Sequence, residues 1–110
     1  MGKIIYNKLV RDNISEIIKQ DKAEPKTRIL DQAEFLVELF RKLEEEAREA
    51  TAAMSDKKEL IKEIGDVYEV IDAIIDSCGL DKAEIIKIKN KRKIERGGFN
   101  KKIFLESVEN

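Results

Sequence analysis

The sequence contains no histidine and no tryptophan, and it has only one cysteine and one proline among 110 residues. Without histidine, the chain cannot form a His-dependent serine or cysteine catalytic site or a His-containing zinc site. Any acid–base chemistry must therefore use carboxylates, lysine, tyrosine or water. Because Cys78 is the only cysteine, no disulfide can form within one chain, which is consistent with a reducing compartment. We expect Cys78 to lie in the core.

Long apolar segments are also absent. No stretch reaches the roughly 20 apolar residues that a transmembrane helix requires. The N-terminal sequence MGKIIYNKLVRD lacks the apolar centre of a signal peptide. We therefore expect a cytoplasmic protein that does not interact with membranes.

The composition favours helices. Charged residues make up 41% of the sequence and apolar residues 42%, with five glycines and a formal net charge of -1. Such a balance is typical of long amphipathic helices and not of a β-sandwich, a barrel or a disordered chain. We expect residues 1–110 to form a single all-α domain. The near-neutral charge argues against nucleic-acid binding, although Lys87 to Lys102 is locally basic.

Two strongly amphipathic helices are predicted in the middle of the chain. Asp31, with a glutamate three residues later, is a typical helix start, and apolar residues at helical spacing continue to about Met54. A second helix should begin after Ser55 or Asp56 and end at Gly79. The two apolar stripes comprise Leu36, Leu39, Phe40, Leu43, Ala47, Ala50 and Met54, and then Leu60, Ile64, Val67, Ile71, Ile74, Ile75 and Cys78.

The remaining segments carry weaker patterns. Residues 3–10 should form an extended arm or a short strand, followed by a short helix from about Asp12 to Gln20. Asp81 should begin a further helix, which is basic and sparser in apolar residues, and which ends at Gly97.

Acidic residues flank both apolar stripes. On a projection of about 100° per residue, Glu46 and Glu49 lie roughly 80° and 140° to one side of the first stripe. Glu63 and Asp66 lie roughly 60° and 120° to the same side of the second stripe. A short turn near Asp56 makes the helices antiparallel, which brings these flanks to one side of the hairpin. Four carboxylates are thus predicted to converge.

Converging carboxylates repel one another unless a cation lies between them. A hard divalent cation such as Mg²⁺ accepts carboxylate oxygens together with water and substrate phosphate. The alternative is that these acids face solvent and pair with lysines such as Lys42 and Lys62.

The acidic segments also resemble a known family. KLEEEAREA and KEIGDVYEVIDAI resemble the EExxE and ExxD motifs of the MazG-like all-α nucleoside triphosphate pyrophosphohydrolases, a superfamily that includes phosphoribosyl-ATP pyrophosphohydrolase. Glu45, Glu46 and Glu49 match the first motif, and Glu63 and Asp66 match the second. YNKLVRDNISEII and ERGGFNKKIFL are similar to a phosphoribosyl-ATP pyrophosphohydrolase-like branch of that superfamily.

This resemblance implies a helical-hairpin core within a four-helix-type bundle, completed by a homodimer or a higher homo-oligomer. It implies that Glu46, Glu49, Glu63 and Asp66 bind Mg²⁺, or Mn²⁺ in its place, and that the α–β phosphoanhydride of a nucleotide substrate is hydrolysed. Glu45 and Glu46 are the catalytic candidates, with Glu45 orienting or deprotonating water.

The resemblance also favours Lys8, Arg11 and Arg96 as substrate phosphate-binding residues. One departure is visible, since the histidine typical of phosphoribosyl-ATP enzymes is absent from DVYEVIDAI, which argues against histidine biosynthesis. Our first hypothesis is therefore a house-cleaning hydrolase of non-canonical or surplus nucleotides. Phosphoribosyl-ATP hydrolysis and a non-enzymatic helical protein-interaction module are the alternatives.

Overall fold

The computed structural model describes residues 2–110 and contains four α-helices and no strand in that range. The helices are α1 (Ile14–Gln20), α2 (Gln32–Ala52), α3 (Lys57–Ser77) and α4 (Lys82–Arg96). The predicted all-α class is therefore confirmed. The chain forms two compact units, one ending at Cys78 and the other comprising Gly79–Asn110.

Helix boundaries follow the local chemistry that the sequence predicts. The side chains of Asp31, Asp56 and Asp81 each accept backbone N–H hydrogen bonds at 2.9–3.4 Å in the first turns of α2, α3 and α4. Gly79 and Gly97 follow α3 and α4 with φ of 62° and 85°, a region that glycine adopts without steric cost. The three long helices thus begin and end within a few residues of the predicted positions.

Packing of α2 against α3 forms the core of the first unit. Residues 53–56 connect the two helices, and so short a connection folds them back on each other. Leu39, Val70 and Ile74 are buried at the contact, and a partly buried ring surrounds them that comprises Leu9, Phe35, Leu36, Leu43 and Ala73. Leu9 comes from residues 2–13, which form neither helix nor strand.

The buried face of the hairpin differs from the predicted stripes. Phe40 and Ile64 are 48% and 40% exposed, whereas Glu46 is only 7% exposed. Two helices bury only the faces that they turn toward each other, and here those faces are rotated from the stripe centres toward the acidic flank. The prediction that Cys78 lies in the core is wrong, because it caps the end of α3 and is exposed.

The second unit contributes α4 and the C-terminal segment. No residue of α4 is buried, and its apolar side chains, such as Ile94 at 86% exposure, face away from any core. Among the described residues, no helix combines the length and the apolar character needed to cross a bilayer.

Candidate metal centre in the helical hairpin

Three of the predicted carboxylates meet inside the hairpin. One oxygen each from Glu46, Glu63 and Asp66 lies within 4.8 Å of the other two. Glu46 comes from α2, while Glu63 and Asp66 lie one turn apart on α3 and therefore on one face of that helix. Glu46 is buried and the other two are half-buried, so the cluster lies partly within the hairpin contact.

Two oxygens of this carboxylate cluster have no protein partner. The Oε2 atoms of Glu46 and Glu63 are buried and accept no hydrogen bond from the described residues. Lys42 Nζ lies 3.6 Å from Glu46 Oε1, so only the other oxygen of Glu46 faces a cation. Buried polar atoms are rarely left unpaired, and such exceptions are common at sites that take an ion or a ligand.

Electrostatics confirm that the cluster is crowded with negative charge. Burial raises the pKa of Glu46, the negative charge of Glu49 raises it further, and the Lys42 ammonium opposes both. Desolvation also raises the pKa of Glu63, and the charges of Glu49 and Asp66 add to that effect. Glu49 is exposed, and it influences both buried acids from the rim of the cluster.

The donor set suits a hard divalent cation. All the side chains of the cluster offer carboxylate oxygens, which Mg²⁺ and Mn²⁺ prefer over softer ligands. A cation would neutralise the mutual repulsion and would give the two unpaired oxygens a partner. Glu46, Glu63 and Asp66 could therefore hold such an ion, with Glu49 beside them.

Basic residues from the N-terminal segment approach this cluster. Arg11 Nη2 donates to Asp66 Oδ1 at 2.7 Å, and Lys8 Nζ donates to Glu45 Oε1 at 3.0 Å. Lys42 Nζ donates to the other oxygen of Glu45 at 3.1 Å. The first unit thus brings two of the three predicted phosphate-binding residues beside the acidic residues.

Glu45 is placed differently from the clustered acids. Hydrogen bonding from Lys8 lowers the pKa of Glu45, and Lys42 lowers it further. Glu45 is therefore held as a carboxylate, which suits it for accepting a hydrogen bond from water and makes it a weak proton acceptor.

Arg96, the third predicted phosphate-binding residue, is the last residue of α4 in the second unit. Sequence reasoning treats Lys42 only as a surface ion-pair partner, whereas the structure places it between Glu45 and Glu46 with 16% side-chain exposure. Its spacing of three and four residues from those glutamates is the signal that marks it.

Comparison with known proteins finds no matching protein-family model, no matching curated protein and no matching solved structure. A functional assignment therefore depends on the geometry of the carboxylate cluster and on the motifs of the sequence.

Proposed function

We propose that the chain is a Mg²⁺-dependent nucleoside triphosphate pyrophosphohydrolase of the MazG-like kind. The observation that carries the proposal is the convergence of Glu46, Glu63 and Asp66, with two buried carboxylate oxygens left unpaired. The EExxE and ExxD motifs support the same function, because the residues that match them supply all three clustered acids.

In this proposal the cluster and Glu49 hold the divalent ion, which would stabilise phosphate charge and lower the pKa of a bound water. Water attacks the α-phosphorus, the bond from that phosphorus to the α–β bridging oxygen breaks, and pyrophosphate leaves with the bridging oxygen and its electron pair. The products are a nucleoside monophosphate and pyrophosphate.

The surrounding side chains have distinct tasks. Glu45 accepts a hydrogen bond from the attacking water and orients it, and its lowered pKa fits this task better than proton removal. Lys8 and Arg11 donate hydrogen bonds to substrate phosphate, because both already reach the acidic side chains that surround it. Arg96 remains a further phosphate-binding candidate in the second unit.

We also propose that a homodimer or a higher homo-oligomer completes the helical bundle. The α2–α3 hairpin leaves a large apolar surface outside its own contact. Its exposed members include Val37, Phe40, Ile61, Ile64, Tyr68 and Ile71. Packing against further helices would remove this surface from water, as in four-helix bundles. The same exposed surface favours the alternative function, a helical module that binds another protein.

A nucleotide panel tests the enzymatic proposal directly. The purified chain should release pyrophosphate with Mg²⁺ or Mn²⁺ from at least one member of a panel of standard and modified nucleoside triphosphates and phosphoribosyl-ATP. Glu46→Gln should lower this rate at least about 100-fold, because it removes a charged ligand from the cluster. Glu34→Gln is the matched control, since Glu34 lies on the same helix but pairs with Arg28.

Two results together would exclude the hydrolase and favour the interaction module. One is the absence of pyrophosphate release from every member of the panel with either ion. The other is a Mn²⁺ affinity that Glu46→Gln leaves unchanged, measured by calorimetry.

A further inference from the structure

A basic groove lies beside the carboxylate cluster within the first unit. It has a volume of about 300 Å³ and runs between the N-terminal segment and α2. Four cationic and two acidic side chains line it, namely Lys8, Arg41, Lys42, Arg48, Glu38 and Glu45. Cations therefore exceed acids by two to one, which is the reverse of the neighbouring cluster.

The periodicity of α2 explains how these charges share one surface. Arg41, Glu45 and Arg48 are four and three residues apart, so they follow one face of the helix. Lys8 reaches this face from the N-terminal segment through its hydrogen bond to Glu45. The groove is thus built from two separate parts of the chain.

The cations in the groove are only partly neutralised. Lys8 and Lys42 share the carboxylate of Glu45, and Arg41 pairs with Glu38 at 3.0 Å. Arg48 forms no ion pair with any of residues 2–110. A guanidinium without a partner, on the rim of a groove with excess positive charge, is suited to bind an anion that carries several charges.

Lys42 connects this groove to the carboxylate cluster. Its Nζ atom lies 3.1 Å from Glu45 Oε2 in the groove and 3.6 Å from Glu46 Oε1 in the cluster. A phosphate chain with one phosphate at the cluster can therefore extend past Lys42 into the groove. The ammonium group has three donors, so it can keep a glutamate contact and still donate to phosphate.

We propose that this groove binds the β- and γ-phosphates of the substrate, the part that leaves as pyrophosphate, with Arg48 and Arg41 as its specificity-determining residues. This assignment rests on the proposed hydrolase function and adds to it a reason for preferring triphosphates. Bidentate guanidinium contacts favour a chain of two phosphates over a single one. Arg41 exchanges Glu38 for phosphate, while Arg48 is free to bind at once.

Pyrophosphate binding in the absence of metal isolates the groove from the hydrolytic chemistry. Calorimetry in EDTA should show pyrophosphate binding to the wild-type chain, with a Kd raised about 10-fold in Arg48→Gln through loss of a charge-assisted contact. Arg41→Gln should raise the Kd as well. The matched control Arg28→Gln, which removes an arginine paired with Glu34 on the same helix, should bind like the wild type. Orthophosphate should bind more weakly, and Arg48→Gln should change its affinity less than about threefold.

The outcomes separate this inference from the proposed function. Equal pyrophosphate affinity in Arg48→Gln and Arg28→Gln, or no binding by a wild-type chain that melts cooperatively, would overturn the groove assignment. Pyrophosphate release from nucleotides would still support the hydrolase in that case. Conversely, Arg48-dependent pyrophosphate binding without any hydrolysis would retain the groove as a polyphosphate site and reject the enzymatic function. Thermal melts establish that Arg48→Gln is folded, as expected for an exposed and unpaired residue.

Discussion

Glu46→Gln should stabilise the metal-free protein while it removes metal binding. Glu46 is 7% exposed, and its carboxylate faces those of Glu63 and Asp66 within 4.8 Å. At an effective dielectric constant of about 20, each such pair repels by about 3.5 kcal/mol. Lys42, at 3.6 Å, offsets about 4.6 kcal/mol of this repulsion, which leaves about 2 kcal/mol unfavourable. Glutamine keeps the shape, removes the charge and can donate to a neighbouring carboxylate.

Screening and partial protonation reduce the expected gain to about 1–2 kcal/mol, equivalent to a Tm rise of about 4–8 °C for a domain of this size. The pH dependence has a defined sign. Burial and the charge of Glu49 raise the pKa of Glu46, so its contribution to stability is present at low pH and is lost as the pH rises through the raised pKa. The advantage of Glu46→Gln should therefore be largest at pH 8 and should disappear below the usual carboxyl pKa.

Circular dichroism melts in EDTA at pH 8 and pH 5 measure this difference. Glu34→Gln should show the opposite sign, because the hydrogen bond from Arg28 lowers the pKa of Glu34 and stabilises its charged form. Adding Mn²⁺ should raise the Tm of the wild type and leave that of Glu46→Gln nearly unchanged. A Tm of Glu46→Gln several degrees below that of the wild type in EDTA at pH 8 would refute the repulsion argument.

Two further substitutions test how the cluster is held. Arg11→Gln should tighten Mn²⁺ binding about 2- to 5-fold by calorimetry, because Arg11 competes with a cation for Asp66 through an exposed ion pair, and weaker binding would contradict this competition. Asp56→Ala removes a side chain that accepts two N–H hydrogen bonds at the start of α3, so it should cost about 1 kcal/mol and lower the Tm by about 4 °C. Asp56→Asn should retain most of that stability in the same melts, and equal losses in both variants would show that capping is not the cause.

The sequence is sufficient for the helices because their signals are local. Asp31, Asp56 and Asp81 occupy the cap positions that their side-chain chemistry predicts, and Gly79 has the positive φ expected after α3. A cap requires only the residues within one turn, so no tertiary information is needed to place it. The approach of Glu46 to Glu63 and Asp66 is likewise predictable, because a short connection fixes the relative height of two antiparallel helices.

What the sequence could not decide is how far each helix rotates about its own axis. The apolar stripes are broader than the face that a single partner covers, so periodicity allows several rotations, and packing selects the one that buries Glu46 and exposes Phe40 and Cys78. The same rotation leaves Glu49 at the rim and sets Lys42 between the acidic cluster and the basic groove. The ion pair between Arg11 and Asp66 joins residues 55 positions apart. Only the folded chain determines such a contact, because it depends on the path of an irregular segment that carries no periodic signal.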